Sequence, residues 1–108
     1  MPTTTIDRNA DVATLINVFT VAPERQRELV ELLVRATEEV MQHRPGFVAA
    51  NIHASLDGTR VANYAQWENV QAFQEMLADP VCQEHMLAAR EIADAEPFLY
   101  GVESVHHR

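Results

Sequence analysis

The chain has 108 residues, of which 47% are hydrophobic, so it is long enough to bury a core without disulfide or metal staples. Its formal charge of -8 at pH 7 excludes nucleic acid and anionic membranes as partners, because both are negatively charged. Cys82 is the single cysteine, which excludes an internal disulfide and a cysteine-rich metal site and favours a reducing cytoplasm.

The chain opens with a polar segment, residues 1–11, that has neither the apolar core of a signal peptide nor the length of a membrane span. We interpret it as a flexible leader, with residues 12–108 forming a single domain. Residues 14–21 are β-branched and apolar on both faces, except at Asn17. This pattern predicts a central strand that is covered on two sides.

Apolar residues at helical spacing follow Pro23 and predict an amphipathic helix over residues 22–43. Residues 47–55 and 59–67 then read as two strands. Asp57-Gly58 lies between them and predicts a two-residue hairpin turn, because both residues tolerate positive φ. The two strands are therefore expected to pair antiparallel.

The strand over residues 59–67 carries polar groups where a core strand should be apolar. Alternation places Asn63 and Trp67 on one face and Tyr64 on the other. Both faces mix small, aromatic and amide side chains, which indicates that both are covered. Asn63 and Trp67 lie roughly 13 Å apart on this reading, a span that suits a flat ligand of several fused rings.

Two short helices are predicted next, one from Val70 to about residue 79 and one over residues 81–94. Pro97 is expected to close the connection to a last strand over residues 98–105. This order predicts a ferredoxin-like βαββαβ sandwich of the α+β class. Because the first strand is apolar on both faces, we expect a homodimer in which two sheets pack together.

Several short motifs occur together along the chain. They are Asn17 in the first strand, Pro45-Gly46-Phe47, the run His-Ala-Ser-Leu-Asp-Gly-Thr from His53, and the run Asn-Tyr-Ala-Gln-Trp-Glu from Asn63 followed by Gln71-Ala72-Phe73. Together they resemble the antibiotic biosynthesis monooxygenase family. The resemblance implies a dimeric α+β barrel that inserts one oxygen atom from O2 into an aromatic polyketide, an anthrone or naphthacenone phenol, to give a quinone. It also implies that no flavin, haem or metal cofactor is used.

The resemblance further implies which residues act on the substrate. Positions that family members use to bind substrate and stabilise its anion match Asn17, Asn63, Trp67 and Arg90. Amide and indole N–H groups can donate to an enolate oxygen, and a guanidinium supplies a permanent positive charge.

Phe73 is a departure from the family pattern, because a family member has a tyrosine with a proton-transfer role at this place. Phenylalanine cannot transfer a proton, so His53, His85, Tyr64 or water must take that role, or ionisation of the substrate suffices. We expect a wider set of residues to contact the substrate: Phe73, Tyr64, His53, His85 and Met76.

Other hypotheses remain. Haem-degrading relatives on this fold hold iron with a histidine in the helix of His85 and use an asparagine at the place of Asn17, although they have a tryptophan where this chain has Met76. A non-catalytic dimeric binding protein is a third hypothesis, because a fold does not fix a function. Taken singly, Trp67 is typical of a core aromatic residue, and Arg90 of a cation at a helix C-terminus.

Overall fold

A computed structural model describes residues 2–108 of the chain. One antiparallel sheet has the strand order β2-β3-β1-β4, with β1 at Ala13–Val21, β2 at Phe47–Ala54, β3 at Arg60–Trp67 and β4 at Ala93–Tyr100. Three helices cover one face of it: α1 at Gln26–Glu39, α2 at Val70–Ala78 and α3 at Pro80–Arg90. The predicted ferredoxin-like α+β fold is confirmed, with α2 and α3 together in the second helical position. No helix within residues 2–108 combines the length and apolarity that a membrane crossing requires.

The helix predicted over residues 22–43 is shorter than expected. Single 3₁₀ turns, Pro23–Arg25 and Met41–His43, flank α1. The α-helix ends at Glu39, because the next residue, Val40, has a φ of -129°, outside the helical region. Hydrophobic spacing continues past this residue, so the sequence pattern did not reveal the break.

The hairpin between β2 and β3 also differs from the prediction. Gly58 has a φ of 82°, whereas no non-glycine residue among those described, Asp57 included, has a positive φ. The N–H of Gly58 donates to the carbonyl of Ser55 at 3.1 Å, so the turn spans residues 55–58 rather than two residues. Asp57 instead accepts hydrogen bonds through its side chain, from Thr59 and Ser55.

The boundary between α3 and β4 was predicted wrongly. The helix ends at Arg90 rather than residue 94, and β4 begins at Ala93 rather than residue 98. Pro97 lies inside β4, opposite Asn17 of β1, instead of closing a loop. This is possible because β4 is an edge strand, where a missing N–H on the solvent side leaves no ladder bond unmade.

The sheet has two different faces. Its helix-covered face bears the odd-numbered residues of β1 and β3, and two hydrophobic clusters fill the space beneath the helices. One cluster contains Trp67 and Phe73, and the other contains Leu29 and Val61. The outer face bears the even-numbered residues of the same strands: Thr14, Ile16, Val18, Ala62, Tyr64 and Gln66.

Residues of the predicted leader lie against part of this outer face. The hydroxyl of Thr4 donates to Asn51 Oδ1 at 2.6 Å, and Gln66 Nε2 donates to the carbonyl of Thr5 at 2.9 Å. These hydrogen bonds hold the segment on β2 and β3. Met1, also part of the predicted leader, lies outside the described residues.

Candidate active site

A cavity of about 320 Å³ lies between the helix-covered face of the sheet and the helices. Its walls include members of both hydrophobic clusters, such as Trp67 and Phe73 from one and Phe19 and Ala89 from the other. The cavity therefore lies between the two clusters. A largely apolar space of this size suits a flat aromatic molecule.

Two asparagines form the polar part of the cavity wall. Asn17 and Asn63 are direct cross-strand partners in β1 and β3, so both side chains leave the same face of the sheet. The Oδ1 atoms of both are buried and have no hydrogen-bond partner among the described residues. A buried polar group without a partner costs about 1–3 kcal/mol, so a ligand that supplies hydrogen-bond partners relieves this cost.

Trp67 lies on the same face of β3 as Asn63, four residues along the strand, and is only 2% exposed. Its ring meets Phe47 edge-on, with centroids 5.5 Å apart and an angle of 88° between the planes. This packing against the first residue of β2 fixes the indole in the cavity wall.

Helix α2 presents Phe73 and Met76 to the cavity, and both are buried. Asn69 caps the start of this helix, because its side chain accepts a hydrogen bond from the N–H of Ala72. Gly46, at the start of β2, has a φ of 84°, and a Cβ at this position would overlap the Cβ of Ala72. Glycine thus permits the close approach that brings α2 onto the sheet.

Helix α3 presents His85 and Arg90 to the cavity. Asp79 caps this helix by accepting hydrogen bonds from the N–H groups of Val81 and Cys82, and it forms an ion pair with Arg44 at 2.7 Å. The pKa of Asp79 is lowered, first by the hydrogen bond from Cys82 and then by the bond from Val81 and the charge of Arg44.

Cys82 itself is fully buried on α3. Burial raises the pKa of its thiol, because the thiolate would be poorly solvated. The thiol does not line the cavity, so it acts as a small apolar residue of the core.

The cavity is lined by most of the residues singled out in the sequence: Asn17, Asn63, Trp67, Arg90, Phe73, Met76 and His85. Tyr64 and His53 do not line the cavity. Tyr64 lies on the outer face, where its hydroxyl accepts a hydrogen bond from Gln66. His53 is exposed on β2, opposite Ala62, also on the outer face. Strand alternation explains both placements.

Sequence reasoning missed other residues of the cavity, namely Thr37, Met41, Met86, Pro97 and Leu99. The hydroxyl of Thr37 donates to the carbonyl of Leu33 at 2.8 Å and still has lone pairs that can accept. Thr37 lies next to Ala36, on the apolar stripe of α1, and this position could have indicated that it faces the cavity. Pro97 was missed because the last strand was predicted to begin after it, at residue 98.

The family model described as antibiotic biosynthesis monooxygenase matches residues 13–90, which include both asparagines, Trp67 and all three helices. The chain belongs to this family. The family resemblance found in the sequence motifs is thereby confirmed, and the chain is a monooxygenase by descent.

Relatives of this family member include well-matched sequences and structures. Tetracenomycin-F1 monooxygenase of Streptomyces glaucescens is 48% identical over 98 residues, which cover 91% of this chain and 88% of the relative. The monooxygenase ActVA-Orf6 of Streptomyces coelicolor, solved with the ligand Nanaomycin D, superposes with a TM-score of 0.81 at 31% identity and covers 94% of this chain and 96% of its own. SnoaB, a cofactor-independent oxygenase from Streptomyces nogalater, has a TM-score of 0.78 at 30% identity and covers 89% and 97%.

No group of three or more His, Cys, Asp or Glu side chains within residues 2–108 is arranged to hold a metal ion. The polar groups that reach the cavity are instead amide, indole, hydroxyl, imidazole and guanidinium groups. Most of these donate hydrogen bonds, and one carries a permanent positive charge. Such a set suits the binding and stabilisation of an oxygen anion.

Proposed function

We propose that the protein oxidises an aromatic polyketide phenol of the anthrone or naphthacenone type to a quinone, using O2 and no cofactor. The observation that carries this proposal is the pair of cross-strand carboxamides, Asn17 and Asn63, whose buried Oδ1 atoms have no partner in a largely apolar cavity. A phenol hydroxyl can donate to these oxygens, and an enolate oxygen can accept from the carboxamide N–H groups. The similarity to Tetracenomycin-F1 monooxygenase supports this class of substrate.

The chemistry requires no oxidant besides O2. Loss of a proton from the reacting CH2 group gives an anion that is rich enough in electrons to reduce O2 directly. The net change converts CH2 and O2 into C=O and H2O. The protein's task is to favour the anion, exclude water and direct O2 to one carbon, which matches the description of SnoaB as cofactor-independent.

Four polar residues of the cavity have a definite part in this proposal. The N–H groups of Asn17, Asn63 and Trp67 donate to the enolate oxygen as its charge develops. Arg90, at the end of α3, forms no ion pair with any of residues 2–108 and is available as the counter-charge. Phe73 and Met76 contact the apolar faces of the rings.

We also propose a homodimer that forms through the outer face of the sheet. Ile16 and Val18 lie there without a helix over them, and Phe98 and Tyr100 on the adjacent edge strand are 60% and 49% exposed. Apolar surface of this kind on a sheet face is typical of an interface. A second copy offers the same surface about a twofold axis.

The direct test is O2 uptake by EDTA-treated protein with dithranol or an emodin-type anthrone as substrate. We expect one O2 consumed per quinone formed, at a rate well above buffer autoxidation, and one ¹⁸O atom from ¹⁸O2 in the new carbonyl. A double variant, Asn17→Leu with Asn63→Leu, is the matched control and should lose most of the rate. Turnover no faster than autoxidation with every anthrone, or turnover abolished by EDTA, would contradict the proposal.

A further inference from the structure

We propose that His85 is the group that carries protons in this reaction, first as base and then as acid. The inference rests on the proposed function and deepens it. Sequence reasoning left the proton carrier open among three side chains and water, with ionisation of the substrate itself as a further alternative. The distribution of titratable groups around the cavity reduces that choice to one side chain.

Only two titratable side chains among the described residues line the cavity, His85 and Arg90. The walls from α1, α2 and the four strands contribute apolar side chains, the carboxamides and one threonine hydroxyl, none of which titrates near neutral pH. Arg90 cannot accept a proton, because a guanidinium stays charged in proteins. Tyr64 and His53 lie on the other side of the sheet.

The position of His85 on α3 is well defined. It is three residues after Cys82 and four before Ala89, and both of these are buried against the core. Residues at this spacing share one face of a helix, so the half-buried imidazole projects toward the cavity. The cap at Asp79, six residues earlier, fixes where the helix begins and therefore which face of it His85 occupies.

The ring nitrogens of His85 also differ from those of the other histidines. Contacts with oxygen occupy a ring nitrogen of His43, His53, His106 and His107. Neither ring nitrogen of His85 has a hydrogen-bond partner within residues 2–108. Its imidazole is thus available to a bound ligand.

The proton transfers balance as follows. Neutral His85 removes one proton from the reacting CH2 group, and the electron pair left on carbon forms a C–O bond to O2. The imidazolium then returns the proton to the terminal peroxide oxygen. In a second step His85 removes the remaining hydrogen of that carbon as a proton. The electron pair of the broken C–H bond forms the C=O bond, and the O–O bond breaks to release hydroxide. The imidazolium gives its proton to the hydroxide, which leaves as water.

The test compares His85→Gln and His85→Ala with the wild type on an anthrone that the wild type oxidises. We expect kcat to fall about 10²- to 10⁴-fold with less change in KM. Added imidazole should restore activity to His85→Ala in proportion to its unprotonated form. Deuterium at the reacting carbon should slow the variants more than the wild type.

His43→Gln is the matched control, because His43 is exposed at the end of the α1 region and bonds only to the carbonyl of Glu38. It should retain the wild-type rate. Suppose that the wild type oxidises an anthrone. If the kcat of both His85 variants is then within threefold of the wild-type value, or if imidazole does not restore activity to His85→Ala, the role of His85 is overturned and the proposed function stands. A wild type that oxidises no anthrone would overturn both.

Discussion

The side chain of Asn63 lowers the stability of the free protein but contributes to substrate binding. Its Oδ1 is buried without a partner, which destabilises the free protein, yet the same carboxamide is placed to hold the substrate anion. Leucine has nearly the same shape and no polar atoms. Asn63→Leu should therefore lower kcat about 10²- to 10³-fold while raising the free energy of unfolding by about 1 kcal/mol. Anthrone kinetics and urea denaturation measure the two effects.

Asn51 provides the control for this prediction. It lies on the neighbouring strand, and both its amide nitrogen and its oxygen have partners: Nδ2 donates to the carbonyl of Tyr64 at 3.0 Å, and Oδ1 accepts from Thr4. Asn51→Leu should lower the free energy of unfolding by about 1–2 kcal/mol. If the free energy of unfolding fell in both variants, the carboxamide of Asn63 would have hydrogen-bond partners in the free protein.

Asp57 gives the hairpin a dependence on pH. Its Oδ1 accepts hydrogen bonds from the N–H and hydroxyl of Thr59 and from the hydroxyl of Ser55, and these lower its pKa from 3.8 to about 2. Because the folded pKa lies below the unfolded one, the stabilisation is complete above about pH 4 and is lost as the pH falls toward 2. The stability difference between wild type and Asp57→Asn should shrink over that window. If the difference in free energy of unfolding between wild type and Asp57→Asn stayed constant from pH 5 to about 2, the lowered pKa of Asp57 would be contradicted.

The sequence predicts most of the site at the level of single residues. Alternation along β3 already places Asn63 and Trp67 together and Tyr64 on the opposite face. The pairing of Asn17 with Asn63 could not be predicted from the chain alone, because it depends on the register between strands that are far apart in sequence. Thr37 was missed for a similar reason, since its neighbours across the cavity come from other elements.

Among the elements, the contact between β2 and α2 depends on one glycine. Gly46→Ala places a Cβ both at positive φ and against Ala72, so it should destabilise the protein by more than the roughly 1–2 kcal/mol that the backbone conformation alone costs. Gly58 shares the positive φ, but its nearest neighbour, Pro23 Cβ, is 3.8 Å from the added Cβ. Thermal unfolding of both variants measures the difference.

Gly101 completes this series, because nothing lies within 4 Å of an added Cβ and its φ is not positive. The expected order of destabilisation is Gly46→Ala, then Gly58→Ala, with Gly101→Ala within about 0.5 kcal/mol of wild type. If Gly46→Ala proved no worse than Gly58→Ala, the close approach of α2 to β2 would not constrain this position.

The sequence predicts the number, type and order of the elements better than their ends. The misplaced boundary of β4 shows why. Pro97 is a strong signal against a strand when only local conformation is considered, and its tolerance depends on the strand being at the edge of the sheet. Edge position is a property of the assembled sheet, so a local pattern cannot reveal it.

At the scale of the whole molecule, the apolar side chains on the outer face of the sheet favour self-association. Val18→Lys introduces a charge into that face and should raise the dimer dissociation constant at least about tenfold, because an unpaired charge in an interface loses its hydration. Leu56→Lys is the control, because Leu56 is fully exposed at the tip of the hairpin. Sedimentation velocity measures both. A monomeric wild type at micromolar concentration, or a Val18→Lys dimer as tight as wild type, would contradict the proposed interface.

The two unpartnered carboxamide oxygens also link folding to ligand capture. A phenol that donates to them binds only the folded chain, so at a concentration 100-fold above its Kd it should add about 2.7 kcal/mol to the free energy of unfolding. For a domain of this size that corresponds to a rise in Tm of roughly 10 °C. Without O2 the phenol is bound but not consumed, so anaerobic melting curves across a collection of polycyclic phenols can rank natural substrates before any product is known.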